Sequence, residues 1–229
     1  MHGASPVASA LPAAKKNVLV LSGEREELPS VYAFISGLRA ELAGQPGTVE
    51  FFVEYLDFGR FPALRYAREL AQHLAYRYAG TQIDAVVCYT EAALEFALAN
   101  RAKLFADAPV IAAGIERGWL AGRKLPAGVE AVLISYDYRR TIELVRALKP
   151  EVQEIVIVSG VSDFDLRRSG EARQAVAGFA PQLGYRMLSG IPLAQIEDEV
   201  RRLPATSAVL IVSMVRDAEG KSYVGRDVA

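Results

Sequence analysis

From Asn17 onward, short β-branched apolar runs alternate with longer segments whose apolar residues return every three or four positions. Val18-Leu19-Val20-Leu21 is continuous rather than alternating, the pattern of a strand covered on both faces, and it stops at Ser22-Gly23. Pro29 suits the first position of a helix in which Val31, Ile35, Leu38 and Leu42 share a face until Gly44. A second strand is predicted over Val49–Tyr55, and a second helix over Leu64–Tyr78 with Leu70, Leu74 and Tyr78 in line before Gly80. Ala85–Tyr89 reads as a third strand. Thr90 is placed to cap a helix carrying Leu94, Leu98 and Leu104, with Glu91 in the first turn, where a negative charge suits the helix dipole. Pro109–Ala113 is a fourth strand followed by Gly114, and Val129–Ile134 a fifth, after a turn-rich section containing Gly122, Pro126 and Gly128.

The pattern then restarts. Asp137 can cap a helix bearing Ile142, Val145 and Leu148 that Pro150 terminates. Ile155-Val156-Ile157-Val158 repeats the first strand's character and again ends in Ser159-Gly160. Ser162 and Asp165 have the spacing of a capping box for a helix reaching about Leu183. Tyr185–Leu188 is predicted as a strand, Leu193–Leu203 as a helix and Ala208–Val212 as a buried strand. Strict β-α alternation with continuous apolar strands implies parallel sheets with helices on both faces, and the restart implies two sheets. The expected fold is therefore α/β, two Rossmann-like lobes: 17–135, then 136–229, with the crossing near Ile134 to Asp137. The second lobe, with three strands against five, reads as truncated and ends in a polar tail after Arg216-Asp217. Residues 1–16, rich in Ala, Ser and Pro, are set aside as a leader or flexible segment.

Composition narrows the partners. Twenty-six basic residues balance 27 acidic ones in 229, so there is no electrostatic case for nucleic acid. No run approaches the roughly 18 apolar residues that span a bilayer, so a membrane would be met only through segments outside this sequence. The single cysteine, Cys88, falls inside a predicted buried strand and reads as a structural thiol. His2 and His73 stand far apart with no companions at metal-ligand spacing, so no metal site and no cofactor is predicted. Ser22-Gly23-Glu24-Arg25-Glu26 replaces the glycine fingerprint of dinucleotide-binding folds, Ser213 lacks the flanking glycines of a nucleophile elbow, and no histidine lies near a candidate site.

Open parallel sheets bind ligands beyond the carboxyl ends of their strands, where strand order reverses. That rule selects Ser22, Gly23 and Glu24, then Tyr89, Thr90 and Glu91, then Gly114, Ile115 and Glu116 in the first lobe. Tyr136 and Asp137 lie at the crossing, and Ser159, Gly160, Ser162 and Asp163, then Ser189 and Gly190, then Ser213 and Met214 in the second lobe. Glycine admits close approach to a ligand and a serine hydroxyl both donates and accepts, although small residues also suit any tight strand-to-helix turn. Glu91 and Glu116 could hold an amine, and Tyr89 and Tyr136 could stack on a flat ligand. Glu24, Glu26 and Glu27 cluster on a loop where such a run is usually solvated.

Several strings carry a resemblance. Val18-Leu19-Val20-Leu21-Ser22-Gly23-Glu24-Arg25 with Leu28-Pro29, Glu54-Tyr55-Leu56-Asp57 with Arg60-Phe61-Pro62, Ala92-Leu94-Glu95-Phe96, Pro109-Val110, Leu193-Ala194 and Ser213-Met214 with Arg216 to Gly220 resemble the substrate-binding-protein-like domain of certain bacterial sensor histidine kinases. That family is similar to ABC transporter substrate-binding proteins of the type I periplasmic-binding fold. The resemblance implies an exported, periplasmic domain whose two lobes close on a small molecule; with enzyme signatures mostly absent, a binding module rather than an enzyme is expected, with amino acids and aromatic metabolites as candidate ligands and a homodimer as candidate assembly. A free transport component is the alternative, and behind it an enzyme of the same architecture using Asp137 or Glu116 as a base.

Overall fold

The computed structural model describes residues 15–43, 48–61 and 63–223, so Gly44, Pro62 and most of the segment set aside as a leader lie outside the described residues. The chain divides into two compact units between Ser135 and Tyr136.

The first unit is a five-stranded parallel sheet in the order β2-β1-β3-β4-β5, with β1 Lys16–Ser22, β2 Val49–Tyr55, β3 Ala85–Tyr89, β4 Val110–Glu116 and β5 Val129–Ile134. The connections run through α1 (Pro29–Ala43), α2 (Leu64–Arg77), α3 (Glu91–Leu104) and the short α4 (Arg117–Leu120). The continuous apolar run of β1 follows from burial on both sides. Leu19 and Leu21 join Val86, Cys88, Leu74 and Leu94 in one cluster, while Val18 and Val20 meet Val87, Phe34 and Leu38 in another. Each such leucine, fully removed from water, contributes about 2 kcal/mol. Cys88 is among these core residues, and burial pushes its thiol up to about 12, which fits a packing role.

In the second unit the three parallel strands β6 (Glu154–Ser159), β7 (Gly184–Leu188) and β8 (Ser207–Ser213) take the order β7-β6-β8. This repeats the β2-β1-β3 arrangement of the first unit. Ile155 and Ile157 pack on Ile142 of α5 (Tyr138–Leu148) and on Ala172 and Val176 of α6 (Asp163–Ala177). Val156 and Val158 face Leu193 and Ile196 of α7 (Leu193–Arg201).

Five expectations need correction. β4 does not stop before Gly114. That glycine sits at φ +71° at a register shift against β5, and the strand continues through Ile115 to Glu116. The turn-rich section contains α4, whose Trp119 packs on the core and lies under the Arg123 guanidinium at 4.3 Å. α6 ends at Ala177, six residues early, because Phe179 N–H bonds the Val176 carbonyl in a tighter turn and Pro181 has no N–H to continue a helix. Leu148 is 73% exposed, since Ile142 and Val145 define the inner face of α5. Helices do not cover both faces throughout: Ile111, Val132, Val209 and Ile211 are exposed on β4, β5 and β8.

The segment after β8 is also more than a polar tail. Asp217, 2% exposed, accepts the Glu219 and Lys221 N–H groups at 3.0 Å each and the Tyr223 hydroxyl at 2.8 Å. Arg216 pairs antiparallel with Ser222.

Candidate functional site

The strand orders place one topological switch point in each unit, between β1 and β3 and between β6 and β8. The two are built alike. Gly23 N–H donates to the Tyr89 carbonyl at 3.0 Å, and Gly160 N–H donates to the Ser213 carbonyl at 2.9 Å. Neither glycine has room for a side chain. A Cβ on Gly23 would overlap Thr90 Oγ1, and one on Gly160 would overlap Asp165 Oδ2 and the Arg216 carbonyl. Ser22 and Ser159, immediately before them, are fully buried. The Ser22 hydroxyl donates to the Glu24 carbonyl at 3.0 Å and the Ser159 hydroxyl to the Asp165 carbonyl at 3.1 Å. The recurring Ser-Gly thus forms a tightly packed turn at each switch point, with its hydroxyl engaged inside the turn.

At the first switch point the β3 exit presents Tyr89, whose ring stacks on Phe34 at 4.5 Å and 17°. A Cβ on Gly114 would stand 3.2 Å from that ring, so the glycine makes the space Tyr89 occupies. Thr90 holds the N-cap position of α3 but does not cap. Its backbone lies at φ +81°, ψ 161°, and its side chain makes no capping bond, leaving a buried Oγ1 without a protein partner. This region of backbone space is almost exclusive to glycine and costs of order 1–3 kcal/mol for other residues. We expect Thr90→Gly to raise first-lobe stability in urea by about 1 kcal/mol, after roughly 0.5–1 kcal/mol is returned as glycine's extra freedom in the unfolded chain. A loss of stability instead would show that the threonine side chain contributes more than the strain costs.

Glu91 does more than complement a dipole. It is buried, and its Oε1 accepts the Glu116 backbone N–H at 2.8 Å, tying the start of α3 to the end of β4. Glu116 is itself 3% exposed at that strand end. Glu24, already a strand-exit candidate, is joined here by Asp57. The Glu24 carboxyl is raised above the ordinary glutamate range by burial first, then by the nearby charges of Asp57 and Glu91, with Arg25 opposing. Glu26 and Glu27 stay exposed, as a solvated run should. Asp57, at φ +52° after β2, receives the Arg60 Nε–H at 2.6 Å. It escaped the strand-exit rule because it lies two residues beyond β2, which ends at Tyr55 as predicted, and its approach to Glu24 follows from the fold rather than from sequence spacing.

At the second switch point, Ser162 and Asp165 form a capping box at the start of α6. The Ser162 hydroxyl donates to Asp165 Oδ2 at 2.8 Å, and that of Ser189 to the Gly160 carbonyl at 3.0 Å. Ser213 Oγ is buried without a protein partner, in parallel with Thr90 at the other switch point. Asp137 accepts the Arg140 N–H at 2.9 Å as an ordinary helix cap and stays exposed. Tyr136 turns its ring to the Arg168 guanidinium, 3.3 Å from the ring centroid, and Arg168 also donates to the Tyr138 hydroxyl and pairs with Glu171 at 3.1 Å. Tyr136 thereby belongs to an aromatic-arginine cluster that periodicity gave no means of anticipating. The sequence-selected residues therefore gather at the strand exits of the two switch points, apart from Asp137 and Tyr136.

No protein-family description matches this chain, and neither does any curated protein sequence. Solved structures do. The chain is similar to an ABC domain from Streptococcus pneumonia in complex with L-Trp, at TM-score 0.57 and 19% identity, over 85% of this chain and 64% of that one. It is similar to the fructose-binding periplasmic domain of a hybrid two-component system, at TM-score 0.54 and 13% identity, over 86% and 63%. A trehalose repressor from Escherichia coli also matches, at TM-score 0.52 and 15% identity, over 86% and 70%. These likenesses define the architecture as α/β with lobes of the type I periplasmic-binding kind, the second smaller than the first. The chain spans less than two thirds of the first two of these structures.

Proposed function

We propose that this chain is an extracytoplasmic small-molecule-binding domain whose ligand contacts come from the strand exits at the two switch points. One observation carries the reading: both lobes repeat the same strand-exit arrangement, a buried Ser-Gly turn with no room for a Cβ beside an exit whose buried hydroxyl has no partner among the described residues. Small residues alone would suit a turn, but a buried hydroxyl left without a partner in both copies costs stability that turn formation does not require. Tyr89, Thr90, Glu91, Gly114 and Glu116 with Ser22 and Gly23 are the first-lobe candidates. Ser159, Gly160, Ser162 and Ser213 are those of the second, with Tyr136 and Asp137 between the two sets in sequence. The chain is read as non-catalytic. Neighbours whose names mention L-Trp and fructose support a small organic ligand.

The finer reading is the sensor part of a two-component histidine kinase, supported by the resemblance of the strings around Ser22-Gly23-Glu24-Arg25 and by the hybrid two-component neighbour. A transport component is the second reading, supported by the L-Trp-bound ABC neighbour. A thermal-shift screen of amino acids, aromatic acids and sugars tests the common claim. A ligand present at a hundred times its dissociation constant adds about 2.7 kcal/mol to stability. If no compound in the screen raises the midpoint, the reading is wrong.

A further inference from the structure

The second switch point holds a cation that the proposed function has not used. Arg216 lies three residues beyond Ser213, the last residue of β8. Its backbone is fully engaged: the N–H reaches Asp165 Oδ2 at 3.4 Å and the carbonyl accepts the Val161 N–H at 2.8 Å. Its side chain is not engaged. Nε is buried with no hydrogen-bond partner, and among the described residues no carboxylate forms an ion pair with the guanidinium. Arg186 has a likewise unpartnered buried Nε but pairs with Glu154 through Nη2 at 3.2 Å, and Arg168 pairs with Glu171 at 3.1 Å; among the described residues Arg216 has no such ion pair. Asp165, which accepts the Arg216 N–H, and Asp217, the next residue, are engaged with other donors: Asp165 holds Ser162 and Val215, and Asp217 holds Glu219, Lys221 and Tyr223. A guanidinium nitrogen taken out of water without an acceptor is costly, and a buried hydroxyl in the same state, Ser213 Oγ, lies at the same strand exit.

Resting on the reading of this crevice as a ligand site, we infer that Arg216 and Ser213 form a subsite for the carboxylate of the ligand. The planar fork of arginine matches the two oxygens of a carboxylate, and a serine hydroxyl adds a third donor. Lysine cannot reproduce that geometry. Because the Arg216 backbone, not its side chain, holds the segment in place, Arg216→Gln keeps the fold while removing the charge.

The test uses matched acid and amide probes: benzoate with benzamide, phenylacetate with phenylacetamide, and indole-3-acetate with indole-3-acetamide, alongside fructose. Thermal shift is read first, then calorimetry on those that bind. The inference expects the wild-type chain to bind at least one acid roughly 10- to 100-fold more tightly than its amide, the range set by charge-assisted hydrogen bonds. Arg216→Gln abolishes that preference without lowering the midpoint of the free protein, and Arg216→Lys restores only part of it. If acids and amides bind equally, or Arg216→Gln leaves the preference intact, the carboxylate subsite is refuted while the ligand-binding reading stands. If fructose alone binds, the same holds. If no probe binds and the wider screen is also empty, both are refuted.

Discussion

Replacing Gly160 with alanine is expected to cost the second lobe about 3 kcal/mol, whereas the same change at Gly23 costs the first lobe about 1 kcal/mol. Both glycines sit at equivalent strand exits, and both lack room for a Cβ. The difference lies in what the new methyl meets. At Gly23 the overlapping atom is the hydroxyl of Thr90, which has no partner to lose and sits on a side chain that can rotate. The next contact, the Ala93 nitrogen at 3.2 Å, needs a shift of only a few tenths of an ångström. At Gly160 the overlapping atoms are a carboxylate oxygen held by Ser162 and Val215 and a backbone carbonyl already bonded to Val161. Neither can move without breaking hydrogen bonds in a buried crevice, so the methyl cannot be accommodated cheaply. Trp119, the sole tryptophan, lies in the first lobe and reports its urea unfolding by fluorescence. Amide exchange in β6 reports the second. Equal losses for the two variants would show that the crevices are not packed as described.

The fold was largely readable because its strands carry the strongest one-dimensional signal. β2, β3 and β5 coincide with the predicted Val49–Tyr55, Ala85–Tyr89 and Val129–Ile134; only β3 is deeply buried, while β2 and β5 are part-buried edge strands, readable because each is a short run rich in β-branched and aromatic residues next to turn-forming ones such as Asp57 and Gly128. Helix starts were legible where a side chain does the capping, as at Asp137 and Ser162. At Thr90 the expected residue type occupied the expected position, yet the backbone adopts a conformation in which the hydroxyl cannot reach the helix. No composition rule anticipates that. Strand exits named the crevice residues, but pairings across the fold did not follow from sequence. The bond from Glu91 to the Glu116 amide joins residues 25 apart, and Asp165 reaches Val215 across 50. Arg216 was visible only as the start of a tail, because nothing in its neighbours indicates that the chain turns back through Asp217 and buries its guanidinium nitrogen.

That turn-back makes Asp165→Asn the other large effect, an expected loss of about 3–4 kcal/mol from the second lobe, against about 1 kcal/mol for Ser162→Ala. Asp165 is fully buried on α6 and accepts from Ser162 N at 3.1 Å, Ser162 Oγ at 2.8 Å, Val215 N at 3.0 Å and, more weakly, Arg216 N at 3.4 Å. An ionised carboxylate offers acceptor sites on both oxygens, so it can satisfy all of these donors. Asparagine has the same size but must turn an NH2 group toward either the Ser162 or the Val215 donors, leaving buried N–H groups facing N–H. Ser162→Ala removes only the helix-side half of the box, while the carboxylate keeps its hold on the segment after β8. The two changes share partners, so the double variant should lose less than the sum of the single losses. Chemical denaturation of all three variants, with β6 amide exchange assigning the loss to the second lobe, provides the measurement. If Asp165→Asn costs no more than Ser162→Ala, the carboxylate serves only as a helix cap, and the placement of Val215 and Arg216 must rest on other contacts.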